Sequence, residues 1–255
     1  MKSQLLKIYN WPYLSKEETN ENQKRIRDVE WEAILPFLNS GNFLDVGCGA
    51  GYAMSKAKTE KQCTVWGIDP DPGGHGVGRS GSNFETGIGN ITQGFAENLP
   101  YESGFFQTVY SSHVLEHVKS EDESLKEMSR VLKENGVLII GMPTATMAMV
   151  NLCSNYLFTT HFKLVNLLFK PFIKTGNTKW WELFIPKSHS FDNKTILYDL
   201  SHYKIKYWES KIAQHFTIEQ ILLPALYPYP EYRQLFSLKK RKNFSSSVFF
   251  ICRKK

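Results

Sequence analysis

A chain of 255 residues can bury one substantial core, and an apolar content of 42% excludes wholesale disorder. The net charge of +6 is unevenly placed: residues 1–140 hold 14 Lys+Arg against 19 Asp+Glu, and residues 141–255 hold 17 against 6. An acidic half thus precedes a basic half, which implies two surfaces for different partners or a solvated basic face. The four cysteines, Cys48, Cys63, Cys153 and Cys252, show no C-x-x-C spacing, which argues against a metal site or a disulfide framework and fits a reducing cytosol. The start, Met1 to Lys7, lacks the apolar core of a signal peptide.

Residues 1–20 are poorly patterned and read as an N-terminal arm. Residues 21–38 read as an amphipathic helix, with Ile26, Val29, Ala33, Ile34 and Phe37 at helical spacing and Arg25, Arg27, Asp28 and Glu32 between them. Ser40-Gly41 ends that element. Phe43, Leu44 and Val46 then form a short buried strand that runs into Gly47-Cys48-Gly49-Ala50-Gly51 and a helix over Ala53 to Lys58. Three alternate glycines permit positive φ and bring backbone N–H groups close to a ligand, at the positive end of the next helix. Asp45 places a carboxylate beside the loop, where ligands of open α/β sheets bind. A dinucleotide fingerprint would put its third glycine at Tyr52, which argues against a nicotinamide dehydrogenase.

The D-x-G-x-G-x-G pattern from Asp45 to Gly51 resembles motif I of class I S-adenosylmethionine (SAM) dependent methyltransferases. The resemblance implies that Asp45, Gly47, Cys48, Gly49 and Gly51 hold the amino-acid end of SAM. A second strand, Cys63 to Ile68, leads to Asp69-Pro70, whose carboxylate is spaced to accept both ribose hydroxyls. The glycine-rich stretch from Asp71 to Gly81, with His75 and Arg79, is too poor a helix former for the helix the family usually has here. A third strand over Ile91 to Gly94 precedes Phe95-Ala96-Glu97-Asn98-Leu99-Pro100-Tyr101, which resembles the family's A-E-x-L-P-[FY] segment. That likeness implies adenine contacts from Ala96 and Glu97, with Leu99 or Phe95 on a ring face.

Phe106 to Ser111 is a fourth strand. It leads into Ser112-His113-Val114-Leu115-Glu116-His117-Val118, which resembles the S-x-x-V-L-E-H-V signature of one large methyltransferase branch. The resemblance puts Ser112 and His113 at the cofactor beside the transferred methyl, while Glu116 and His117 read as ties for the loop. Ser120 with Glu123 makes a capping box for a helix carrying Leu125, Met128 and Leu132, which Asn135-Gly136 ends before a fifth strand, Val137 to Gly141. Beyond Met142 two or three helices are expected to run to Lys174. The polar residues Thr144, Asn151, Ser154 and Asn155 exclude a membrane span. Trp180-Trp181 and Ser188-His189-Ser190 follow. A helix near 203–215 and two last strands, Phe216 to Ile221 and Ser247 to Cys252, complete the pattern.

The fold expected is α/β: a doubly wound, mostly parallel seven-stranded sheet with an antiparallel edge pair and a helical insertion between strands five and six. Residues 1–40 form an arm and helix, 41–141 the SAM-binding core, 142–200 a helical substrate cap, and 201–255 the last helix and strand pair. The resemblance implies a methyltransferase whose acceptor is a small molecule, a sugar or a lipid-linked compound, with His113 or His189 as the base that takes the acceptor's proton. Lys163, Lys170 and Lys174 among apolar residues suggest peripheral contact with an anionic membrane from the cytoplasmic side, or the same residues form a closed lid. Nucleic acid is set aside as the partner, because no Asn-Pro-Pro-[Tyr/Phe] run follows strand four and no RNA-binding module is visible. A non-catalytic SAM-binding protein and a nucleic-acid methyltransferase stand as the alternatives.

Overall fold

In a computed structural model, residues 4, 14–74, 76–77, 89–169, 185, 187–188, 190, 194–228 and 244–255 are described. They form helices α1 (Lys16–Ile34), α2 (Tyr52–Lys61), α3 (Glu121–Val131), α4 (Ala145–Phe169), α5 (Ile196–His202) and α6 (Ile205–His215), with strands β1 (Asn42–Val46), β2 (Thr64–Asp69), β3 (Asn90–Gln93), β4 (Phe106–Ser112), β5 (Leu132–Pro143), β6 (Phe216–Leu222) and β7 (Ser247–Lys254). The seven strands make one sheet in the order β3-β2-β1-β4-β5-β7-β6. The five on the β3 side pair in parallel, and β7 runs antiparallel to both β5 and β6. This is the doubly wound sheet expected, with its strand order reversing between β1 and β4, where such folds bind ligands.

Both faces of the sheet are covered, so the central strands are buried nearly end to end. Leu44, Val46, Val109, Leu138 and Ile140 point to one face and pack with Leu125 and Met128 of α3 and Trp208 and Ile212 of α6. Phe43, Tyr110, Val137 and Ile139 point to the other, against Trp31 and Ile34 of α1 and Met54 and Ala57 of α2. Trp31 sits edge-on to Phe43 and Tyr110, with ring centroids 6.5 and 6.2 Å away, and its indole N–H donates to Glu60 at 2.8 Å. The Tyr52 hydroxyl donates to Asp28 at 2.5 Å. Together these two bonds lock α1 to α2.

Two local expectations are corrected. The first helix begins at Lys16 rather than at residue 21, because Ser15 and Glu18 form a reciprocal capping box that satisfies two backbone donors. The helix from Glu121 stops at Val131, not at Asn135-Gly136. Leu132 already pairs with Phe106, and the ladder resumes at Val137 with Thr108, so Asn135-Gly136 lies within a bulged excursion of β5. The helix expected near 203–215 is α6, and the Tyr203 carbonyl just before it accepts from Ala145 N–H at 2.7 Å. Of the cap, α4 is one continuous helix to Phe169; Lys170, Lys174, Trp180 and Trp181 lie outside the described residues. No described helix is long and apolar enough to cross a membrane.

Trp31→Ala should lower unfolding stability by roughly 3–5 kcal/mol in urea denaturation, since it removes a buried indole and leaves a cavity between α1 and the sheet. Trp31→Phe should cost clearly less. Equal losses would mean that the Glu60 bond, not ring packing, secures α1.

Candidate functional site

The glycine loop is held in place by its backbone. Gly47 N–H donates to Ile68 O at 2.7 Å, and Gly51 N–H to Cys48 O at 2.8 Å. Gly47, Gly49 and Gly51 have φ of +78°, +50° and +78°. A Cβ on Gly47 would collide with a Val114 methyl, so the loop and the segment after β4 are in direct apposition. The Cys48 thiol is turned inward, 2.7 Å from where a Cβ on Gly67 would lie, and burial pushes its pKa well above the ordinary thiol value. Its side chain therefore packs the loop against β2.

Asp69 is buried, and both its oxygens accept backbone N–H bonds, from Gly49 and from Asp71, each at 2.8 Å. One carboxylate at the end of β2 thus braces the glycine loop of β1. Pro70 O accepts from the Gln93 side chain at 2.9 Å, and Asp69 O from Gly94 N–H at 3.1 Å, which brings the end of β3 alongside. Ala96 is buried behind it, and Glu97 accepts from Lys119 N–H at 2.8 Å, tying this segment to the one after β4. Of the two residues expected on a ring face, Leu99 belongs to the core and Phe95 is 59% exposed.

Asp45 is buried beside Asp69, and no hydrogen bond to it occurs among the described residues. Burial, and then the charge of Asp69, push its pKa up to about 8. A ligand ammonium is the group that would let this carboxylate ionise. Ser112 ends β4 opposite Gly141, and His113 follows with φ of +56°, uncommon for a residue other than glycine. Its Nδ1 lies 3.5 Å from Glu116 and its Nε2 3.9 Å from Glu30. Asp45, Gly47, Cys48, Gly49, Gly51, Asp69, Pro70, Ala96, Glu97, Ser112 and His113 therefore gather at the carboxyl ends of β1 to β4, while His189 lies outside the described residues.

Three residues that the sequence reading did not assign to the site, Arg27, Glu30 and Tyr227, cluster beside His113. Glu30 is 1% exposed in its side chain, bonded by Arg27 at 2.5 Å and by the Tyr227 hydroxyl at 2.5 Å. A signal existed: Glu30 falls four residues after Ile26 and four before Ile34, a carboxylate inside an apolar stripe. Tyr227 carried no such signal, since it arrives from a loop nearly 200 positions away.

Residues 44–140 match the family model described as a methyltransferase domain. Curated tRNA U34 carboxymethyltransferases of Actinobacillus succinogenes and Psychromonas ingrahamii are each 34% identical over 119 residues, covering 44% of this chain and 36% of theirs. The match thus spans little more than a third of those relatives. Among solved structures, a SAM-dependent methyltransferase of Thermotoga maritima aligns over 94% of both chains with TM-score 0.56 and 18% identity. A geranyl diphosphate C-methyltransferase of Streptomyces coelicolor, solved with S-adenosylhomocysteine, aligns over 91% of this chain and 82% of its own with TM-score 0.51 and 15% identity. At these identities the structures establish the fold. Over residues 44–140 the chain matches a methyltransferase domain, and SAM is the cofactor these comparisons support.

The same findings correct the acceptor expectation. A small-molecule, sugar or lipid-linked acceptor, contact with an anionic membrane, and the setting aside of nucleic acid all give way to relatives named for a tRNA. The motifs that drove that expectation report the cofactor end of the site and say nothing of the acceptor. The basic second half was the sequence signal that pointed to a polyanion.

Asp45 has a direct test. Its folded-state pKa lies above its unfolded value, so between about pH 4 and pH 8 the folded state holds the extra proton. Ligand-free stability should therefore fall as pH rises through that window, by at most about 1.4 kcal/mol per pH unit. Asp45→Asn should flatten that slope and raise the ligand-free melting temperature at pH 8, while weakening SAM binding in calorimetry. An unchanged slope would contradict the protonated, buried Asp45.

Proposed function

We propose that this chain is a SAM-dependent transferase whose acceptor is a nucleic acid, a tRNA base being the acceptor best supported. The observation that carries the reading is the 34% identity to tRNA U34 carboxymethyltransferases across the cofactor-binding half. The excess of Lys and Arg over Asp and Glu in residues 141–255, 17 against 6, supports it, because phosphate neutralisation supplies much of the affinity for RNA. A base must leave its stack to reach a site at the carboxyl edge of a sheet, and that edge is where His113, Glu30 and Tyr227 form a buried polar wall.

The residues present fit the cofactor. Asp45, buried and lacking a hydrogen-bond donor among the described residues, suits an amino group, and the positive-φ glycines of the loop suit close backbone approach. Asp69 holds that loop in shape, and its remaining lone pairs suit a ribose hydroxyl. SAM supplies, when bound, a carbon made electrophilic by its sulfonium. The protein's part is then to orient the acceptor, exclude water and accept a proton where the acceptor loses one. His113, next to the glycine loop and buried, is the candidate for that proton.

Incubation of the purified chain with methyl-labelled SAM and tRNA from cells lacking this gene should place label in an RNase-sensitive fraction. The mass of the labelled nucleoside distinguishes a methyl from a substituted methyl group. Labelling should weaken steeply between 50 and 200 mM salt, as phosphate contacts are screened. Label confined to lipid or metabolite fractions of the same cells would overturn the reading.

A further inference from the structure

Four chain segments meet over His113. Helix α1 brings Arg27 and Glu30, and the end of β4 brings Tyr110 and His113 itself. Glu116 and His117 follow His113 in the chain, and the stretch after β6 brings Tyr227. Pro143 pairs with Ser247, so the start of β7 also lies at this end of the sheet. Tyr227 is fixed there by Ser246, whose hydroxyl accepts from Tyr227 N–H at 2.9 Å and donates to Tyr227 O at 2.5 Å. Ser245 holds Ala225 in the same two-way fashion, at 3.2 and 2.7 Å. Two serines thus splice residues 225–227 onto β7 and aim one phenol at α1.

The carboxylate of Glu30 receives that phenol and the Arg27 guanidinium, and His113 Nε2, at 3.9 Å, and the Ser247 hydroxyl also act on it. The imidazole is 9% exposed, and Nε2 has no hydrogen-bond partner among the described residues. A gap of 3.9 Å is too long for a hydrogen bond. A buried imidazole nitrogen with nothing to bond costs free energy, and it persists here because the left-handed backbone of His113 and its N–H bond to Gly141 O at 2.9 Å fix its place.

We propose that Glu30 is a positioning residue for His113: its carboxylate, 3.9 Å from Nε2, holds the ring in its place at the end of β4, with Arg27 and Tyr227 holding Glu30 in turn. The identity of the acceptor rests on the transferase reading above; the coupling of Glu30 to His113 does not. Glu30 lies outside residues 44–140, so this part of the site is built by chain that the family match does not reach.

The charged groups that act on His113 are Arg27, Glu30 and Glu116; behind them, His117 lies 4.0 Å from Glu116, and Tyr110 and Tyr227 face Arg27 and Glu30. Burial and Arg27 favour the neutral ring, Glu116 and Glu30 favour the charged one, and the balance holds its pKa above the ordinary histidine value. The neutral, proton-accepting form is therefore reached only at higher pH than in a free histidine. Removing the charge of Glu30 should shift that point down by about one pH unit or more.

The test is an imidazole nitrogen NMR titration of the full chain, with the His113 signals assigned from their loss in His113→Gln. In Glu30→Gln the His113 midpoint should fall by about one unit or more. Glu30→Asp, which keeps the charge, should retain most of the raised midpoint and serves if Glu30→Gln does not fold. A midpoint unmoved by Glu30→Gln, or by Glu30→Asp equal to an ordinary histidine, overturns the proposal. In the tRNA labelling assay Glu30→Gln should lower kcat about ten-fold, leave KM for SAM within about two-fold, and move the acidic limb of the pH profile by the same amount as the NMR midpoint. A fall in kcat with no movement of that limb would make Glu30 merely structural. If the wild-type chain labels no RNA, the tRNA reading fails while the titration still decides the coupling.

Discussion

The site depends on a single carboxylate that accepts two backbone N–H groups. Asp69 ends β2, yet its oxygens bond Gly49 in the loop of β1 and Asp71 in its own turn. A charged acceptor makes such bonds roughly twice as strong as neutral ones. Their effect is geometric: three glycines with positive φ have no side chains to hold them, so an external brace is what turns a permissive loop into a shaped one. The cost appears at Asp45, whose neighbour Asp69 helps keep it protonated until something cationic arrives.

Beside His113, charged and polar side chains are drawn into the interior. Arg27, Glu30, His113 and Tyr227 sit where a core of this size would ordinarily be apolar. Removing one member of such a cluster strands the others, so it is a poor way to gain stability. Its value lies in specificity of arrangement: Glu30 from near the start of the chain and Tyr227 from near its end are forced to one point beside His113. The N-terminal helix, anchored through Trp31 and Tyr52 to the sheet and α2, is thereby part of the site and not a mere cover.

The cofactor half was legible in the sequence because its chemistry is local. The strand, the glycine loop and the helix start occupy eleven consecutive residues, from Asn42 to Tyr52, and the parallel strands read as apolar runs because both faces are covered. What failed was set by distant contacts. Asn135-Gly136 looks like a helix stop, but pairing of Leu132 with Phe106 ends the helix earlier. Glu30 stood in plain sight on an apolar stripe, though only the fold reveals which groups it meets. Asp69 was read for the ribose, and its bracing of Gly49 emerges only when β1 and β2 are placed side by side. The acceptor was misjudged because the motifs describe the donor and carry no information on what receives the transferred group.

The most direct measurement is calorimetry of S-adenosylhomocysteine with the wild-type chain and with Asp69→Ala, the fold of each checked by circular dichroism. Two bonds to a charged group, each worth roughly 1.5–3 kcal/mol, hold the loop, and the variant should therefore bind at least about ten-fold more weakly while remaining folded. A dissociation constant unchanged in a folded Asp69→Ala protein would contradict the claim that this carboxylate shapes the cofactor site.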